Sequence, residues 1–146
     1  MATDALNFYD DFKLQLGLER HQLNSDTIRA ALFTSTHTPV VATDVSYSSL
    51  TNEVSNTMNG YTTTGLDITN TYTESPDGTG LLSASTVVWT AGANWTDNIR
   101  YVVFYNATAG GTNDLIGYVD YVATPVTLSS GETFTVTFAS GLFTLT

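Results

Sequence analysis

From Thr133 to Phe138 the chain reads Thr-Phe-Thr-Val-Thr-Phe, a strict alternation of hydroxyl and apolar side chains. Successive side chains on a strand point to opposite faces, so a period of two buries one face and wets the other. It predicts a strand over residues 132–138. The same period, more loosely kept, predicts strands over 27–33, 66–72, 82–90, 99–106, 115–121 and 142–146. Turn-forming residues punctuate them at Ser75-Pro76-Asp77-Gly78, Ala91-Gly92, Gly110-Gly111, Ser130-Gly131 and Ser140-Gly141. Short strands at regular spacing point to an all-β fold, a β-sandwich or jelly roll, rather than to a parallel α/β sheet.

The start of the chain has a different period. Ala5, Phe8, Phe12 and Leu16 recur at three- and four-residue steps, with Tyr9 widening the apolar stripe, which predicts one short N-terminal α-helix over residues 3–16. Thr3 can cap it, Asp4 suits the positive end of the helix dipole, and Gly17 can end it. Residues 40–65, rich in Ser, Thr, Asn and Gly, are expected to form a long connection with a short helical turn around Leu50 to Val54. No repeat and no second domain is visible. The 146 residues are expected to form a single domain, 1–146, with a helix or arm over 1–17 and a β-sandwich over 26–146.

Composition removes several functions. There is no cysteine, so disulfides and thiolate metal sites are excluded. Fourteen acids face four bases, Lys13, Arg20, Arg29 and Arg100, for a net charge of −10. Phosphate binding needs a basic footprint, so neither nucleic acid nor an anionic membrane surface is an expected partner. No stretch reaches the roughly 18 apolar residues of a membrane helix, and the acidic start Met1-Ala2-Thr3-Asp4 is not read as a secretory signal.

Catalytic patterns are equally sparse. The two histidines, His21 and His37, fall in a polar segment and beside Pro39, and each is read as a surface residue. Asp10 and Asp11 are adjacent and so diverge on a helix. Asp77 in Pro76-Asp77-Gly78-Thr79-Gly80 lacks the alternate acids and distal Glu of a calcium loop. Ala109-Gly110-Gly111-Thr112 lacks the lysine of a phosphate loop and is read as a hairpin tip. No enzyme activity, cofactor or metal is therefore expected. Arg100 stands out on the apolar strand 99–106. A buried guanidinium must be paired, and Glu53 or Asp120 is the expected partner. The alternative is that Arg100 sits at the strand start and reaches water.

Several segments together resemble a family of small tailed-bacteriophage virion proteins, described as head decoration or minor structural proteins. They are Asp26-Thr27-Ile28-Arg29-Ala30-Ala31-Leu32-Phe33-Thr34-Ser35 with Thr38-Pro39, then Thr51-Asn52-Glu53-Val54 and Gly60-Tyr61-Thr62. They continue with Val88-Trp89-Thr90, Ile99-Arg100-Tyr101-Val102-Val103-Phe104-Tyr105, Leu115-Ile116-Gly117-Tyr118-Val119-Asp120 and Gly141-Leu142-Phe143-Thr144-Leu145-Thr146. Order and spacing carry the resemblance, while residues 67–86 and 106–113 depart from it.

The resemblance implies a cement protein on the exterior of the virion head, assembled in the bacterial host cytoplasm. Its partners would be the major capsid protein and its own copies, as a homo-oligomer with a trimer favoured. A tail or baseplate protein and a carbohydrate-binding adhesion module, for which Trp95 is the best candidate, remain alternatives. Two apolar surfaces are expected to serve as interfaces: the helix stripe Phe8, Tyr9, Phe12 and Leu16, and the aromatic set Trp89, Trp95 and Tyr101. The alternative for the stripe is that it covers the protein's own sheet.

Overall fold

The computed structural model describes residues 5–108, 112–121 and 124–146. Among these, one helix and ten short strands follow one another: β1 Asn7–Phe8, α1 Asp10–Gly17, β2 Ile28–Phe33, β3 Leu66–Ile68, β4 Asn70–Glu74, β5 Gly80–Ala84, β6 Val87–Thr90, β7 Tyr101–Asn106, β8 Leu115–Asp120, β9 Thr133–Val136 and β10 Phe143–Leu145. The fold is all-β with a short N-terminal helix. Every strand pairing is antiparallel. A five-stranded sheet runs β1-β8-β7-β2-β3. Opposite it lie a three-stranded sheet, β10-β5-β4, and a two-stranded ribbon, β6-β9.

Alternation assembles the core. Ile28, Ala30 and Leu32 of β2 and Val102 and Phe104 of β7 share one face. They meet Leu82, Val87, Trp89, Phe134, Val136 and Phe143 from the opposing strands in one apolar cluster. The intervening residues Ala31, Phe33, Tyr101, Val103 and Tyr105 point the other way and form a second, smaller cluster. The five-stranded sheet is therefore buried on both faces, and all six residues of β7 are buried.

Its outer face is covered by the first part of residues 34–65, a segment whose helical structure is a 3₁₀ turn at Tyr47–Ser49; Tyr47 and Leu50 pack on the outer cluster, whereas Val54, Met58 and Tyr61 pack on the inner one. We call residues 34–65 the strap. The helical turn expected around Leu50 to Val54 is instead extended: Glu53 bridges Phe33, and Val54 N–H donates to the Leu32 carbonyl at 2.9 Å. The strap returns to the sheet at Gly65, whose φ is +72° and whose Cβ, were there one, would lie 1.9 Å from the Ala30 carbonyl oxygen. No side chain fits there.

The N-terminal stripe is corrected in one respect. Helix α1 begins at Asp10, not at residue 3, because Asn7 and Phe8 pair with Tyr118 and Gly117 as an edge strand. A strand sends neighbours to opposite faces. Phe8 accordingly stacks on Phe12 in the inner cluster at 5.2 Å, while Tyr9 enters the outer cluster 5.5 Å from Tyr118. Helical spacing had put them side by side. Two expected strands are also split: 66–72 breaks at Thr69, and 82–90 breaks at Ser85 and Thr86 as the chain passes from the three-stranded sheet to the ribbon. Thr3, Asp4 and the Gly110-Gly111 tip lie outside the described residues.

Candidate functional site

Most of the expected interface residues are interior. Tyr9, Phe12, Trp89, Trp95 and Tyr101 are buried. Phe8 and Leu16 are half-buried and pack on the inner cluster. The helix stripe is thus a cover for the protein's own sheets, and the expectation of an exposed docking stripe is corrected. The physical reason is that the second layer is short of apolar area, and Phe8, Phe12 and Phe143 fill its open end as a ring cluster with centroids 5.2 to 5.5 Å apart. The aromatic set is likewise not a surface. Trp89 packs 6.1 Å from Phe134, and Trp95 lies edge-on to Tyr61 with its Nε1 donating to the Asn59 carbonyl at 2.9 Å. Large apolar side chains that stay exposed include Leu14 and Leu18, one turn apart on the outer side of α1, at 58% and 59%, and Val88 on the ribbon.

The ion pair is found on one of its two expected partners. Arg100 Nε and a terminal nitrogen donate to the two Asp120 oxygens at 3.0 and 3.2 Å, and the guanidinium lies 4.9 Å from the Tyr101 ring centre. The Asp120 carboxylate holds the Arg100 pKa above its ordinary value. The pair sits at the rim, with both side chains partly exposed, so Arg100 is paired and wet rather than buried.

Glu53 has a different task. Its carboxylate accepts from the Tyr47 hydroxyl, from the Tyr61 hydroxyl at 2.6 Å and from the Thr64 amide at 2.8 Å. Tyr61 Oη in turn accepts from the Leu32 amide at 3.0 Å, and Tyr105 donates to the Thr64 carbonyl at 2.7 Å. Tyr47 stacks on Tyr105 at 4.3 Å. Burial, and next to it the Glu53 carboxylate, push the Tyr47 and Tyr61 phenols far above their usual range, so both remain donors. The group pins the strap to the sheet and offers no free nucleophile.

Both histidines are buried, which corrects their reading as surface residues. Short flanking polar residues concealed this: the rings are packed by residues distant in sequence. His21 tilts against Phe12 at 5.1 Å, and its Nδ1 lies 3.3 Å from the Asn106 amide nitrogen. Around it are Asp26, bonded to Asn106, and Asp114, paired with Arg20 at 2.9 Å. Burial lowers the His21 pKa against the opposing pull of these acids. Beside it a shallow open groove of about 470 Å³ is lined by Leu16, Leu23, Tyr72 and Leu145 with Gln22 and Ser25. His37, on the strap itself, packs its ring against Phe33 and Tyr101 of the sheet, its pKa also lowered by burial. Among the described residues no group of three or more His, Asp or Glu side chains is placed to hold a metal ion. Buried Asp114 and the Glu53 hub carry no distinctive sequence signal, since each is a lone acid in a polar stretch.

No family model, curated protein or solved structure matches this chain.

Proposed function

We propose that the chain is a structural protein of a tailed-phage particle, a decoration protein that stabilises the head by protein–protein contact with the major capsid protein and with its own copies. Two things support this reading. The first is the ordered resemblance described above. The second, which carries most weight, is the use to which the chemically able side chains are put. Both histidines, the buried tyrosines and Glu53 are engaged in packing or in tying the strap down, while the outer surface is acidic and rich in hydroxyls. Such a surface repels DNA and stays soluble at high density. The outer side of the ribbon shows the hydroxyl-rich part of that surface: Val88 pairs with Thr135 and Thr90 with Thr133.

In this reading the contacts use side chains left outside, with Leu14 and Leu18 the first to test. The adhesion alternative loses the residue it rested on, because Trp95 is buried. The decisive experiment locates the protein on intact particles by electron microscopy and heats particles that lack it. Density on the outer head surface and rupture at lower temperature are expected. Density on the tail, or unchanged heat resistance, would overturn the cement role. A Leu14→Gln, Leu18→Gln double variant should fold normally yet bind empty heads more weakly.

A further inference from the structure

The strap covers an aromatic face with almost no regular structure of its own, and one polar ring is set into that contact. His37 is 3% exposed. The Phe33 ring lies 4.6 Å from it and the Tyr101 ring 5.6 Å. Its Nδ1 is 2.9 Å from the Thr51 carbonyl oxygen. A carbonyl only accepts, so Nδ1 carries the proton and the neutral ring keeps a lone pair at Nε2. That Nε2 is buried and reaches no hydrogen-bond partner among the described residues.

The titratable groups facing the ring are few. The strap contributes Asp44, whose carboxylate accepts from the Val40 amide at 2.8 Å. Strand β7 contributes the Tyr101 phenol, and β2 contributes only the Phe33 ring. None of them bonds to Nε2.

We propose that His37 is an acid-sensitive latch that holds the first part of the strap, residues 34–45, against the sheet. Neutral, the ring joins residue 37 to Thr51 and fills the gap between Phe33 and Tyr101. A second proton would place an N–H⁺ at a buried position with no acceptor, which a dry aromatic site strongly disfavours. Opening the segment returns the imidazolium to water and to the neighbouring Asp44. The motion is local. Besides the His37 bond, this stretch is tied to the rest of the chain by Thr34 N and Oγ1 to Asn52 O at 3.0 and 3.2 Å, Ser35 N to Asn98 Oδ1 at 2.8 Å, Asn52 Nδ2 to Thr36 O at 3.3 Å, Asp10 N to Val41 O at 3.1 Å and Leu115 N to Val45 O at 3.1 Å. The later part of the strap is fixed independently by Glu53 with Tyr61 and Thr64.

The sign follows from burial. The closed form resists protonation, the open form titrates near the ordinary histidine value of about 6.5, and the open fraction grows as pH falls below that value. Between the open-form and the lower closed-form pKa the growth is at most about tenfold per pH unit. His21 is separate, being packed on Phe12 at the helix, and it has no contact with the strap among those described.

Hydrogen exchange on the full chain, read by mass spectrometry and corrected for intrinsic rates, tests the latch. Peptides covering 34–45 are compared with those covering β6 and β9, in mildly alkaline and mildly acid buffer. The wild type should exchange several-fold faster in 34–45 in acid, with β6 and β9 unchanged. His37→Asn can still donate to Thr51, and His37→Phe fills the ring space; both should lose the acid response. Persistence of the response in both variants, or equal acceleration in β6 and β9, would overturn the proposal. Should neither variant fold, the wild-type His37 ring proton titration decides: a midpoint well below the ordinary value supports the latch, and an ordinary or raised midpoint rejects it.

Discussion

The two faces of the five-stranded sheet are buried by different means. The inner face meets other strands, and its contacts are aliphatic and aromatic side chains in regular alternation. The outer face meets the strap, and its contacts are tyrosines and a histidine that pack with their rings and bond with their polar ends. Burial against a sheet needs only apolar side chains, because strand backbones satisfy each other. Burial under an irregular segment must also satisfy that segment's own amides and carbonyls. Glu53 at the Thr64 amide, Tyr105 at the Thr64 carbonyl and His37 at the Thr51 carbonyl supply those partners. The inner face should therefore be more sensitive to lost volume and the outer face to lost hydrogen bonds.

Removing residues 1–17 should have the largest effect, because it strips Phe8 and Phe12 from the inner cluster, removes Tyr9 from the outer one and bares the edge of β8. The truncated chain should show no cooperative thermal transition by near-ultraviolet circular dichroism. A stable truncated domain would mean that the N-terminus is an arm after all. Phe12→Ala tests the same contact more gently and should cost about 3–5 kcal/mol in urea unfolding, the usual range for a buried phenylalanine.

Glu53→Gln probes the outer face. The carboxylate accepts three hydrogen bonds, two from phenols and one from an amide, so loss of its charge should cost about 2 kcal/mol. Proteolysis within the strap should rise before global unfolding does. If the variant is as stable as the parent, backbone bonds alone hold the strap.

Stability should fall in mild acid. Both histidine pKa values are lowered in the folded chain, burial being the main cause. Above the unfolded histidine value of about 6.5 neither state is protonated and the full stability is present. As pH falls through that value the unfolded chain takes up protons that the folded chain refuses. The loss is at most about 1.4 kcal/mol per pH unit for each histidine, and it ends once pH passes the folded values. Urea midpoints measured across this window check the slope. A flat profile would show that neither ring is desolvated.

The inner face was legible in the sequence because period-two alternation is what a sheet-on-sheet contact requires. Phe134 and Val136 follow from the alternation at 133–138, whereas Trp89, on the partner strand, reads in the sequence as an interface residue and is buried. The outer face was not. Residues 40–65 look like loop because their burial depends on single rings, such as Tyr47 on Tyr105, and on backbone bonds that leave no periodicity. The N-terminus misled for a related reason: Phe8 and Phe12 touch as a helix pair would, but across a strand-to-helix junction. Arg100 lay between these cases: its sequence left Glu53 and Asp120 open as partners, with access to water as the alternative, and it is both paired with Asp120 and wet.

That last pair gives the smallest expected effect and the sharpest limit on the comparison. Tyr101 pairs with Asp120 in register, so Arg100, one residue earlier, meets that carboxylate at the sheet's rim. The bonds are bidentate, which favours a defined geometry. The site is open to water, which screens the attraction and hydrates whichever charge is left alone. Arg100→Met should therefore be nearly neutral, because the methionine stem can still cover Tyr101. Asp120→Asn should be slightly worse, because it leaves the guanidinium without its counter-charge over that ring. Molar salt should shrink the difference between them. Paired urea unfolding curves at low and high salt measure it. A loss as large as that of Glu53→Gln, and insensitive to salt, would mean that the rim is dry and belongs with the buried outer face.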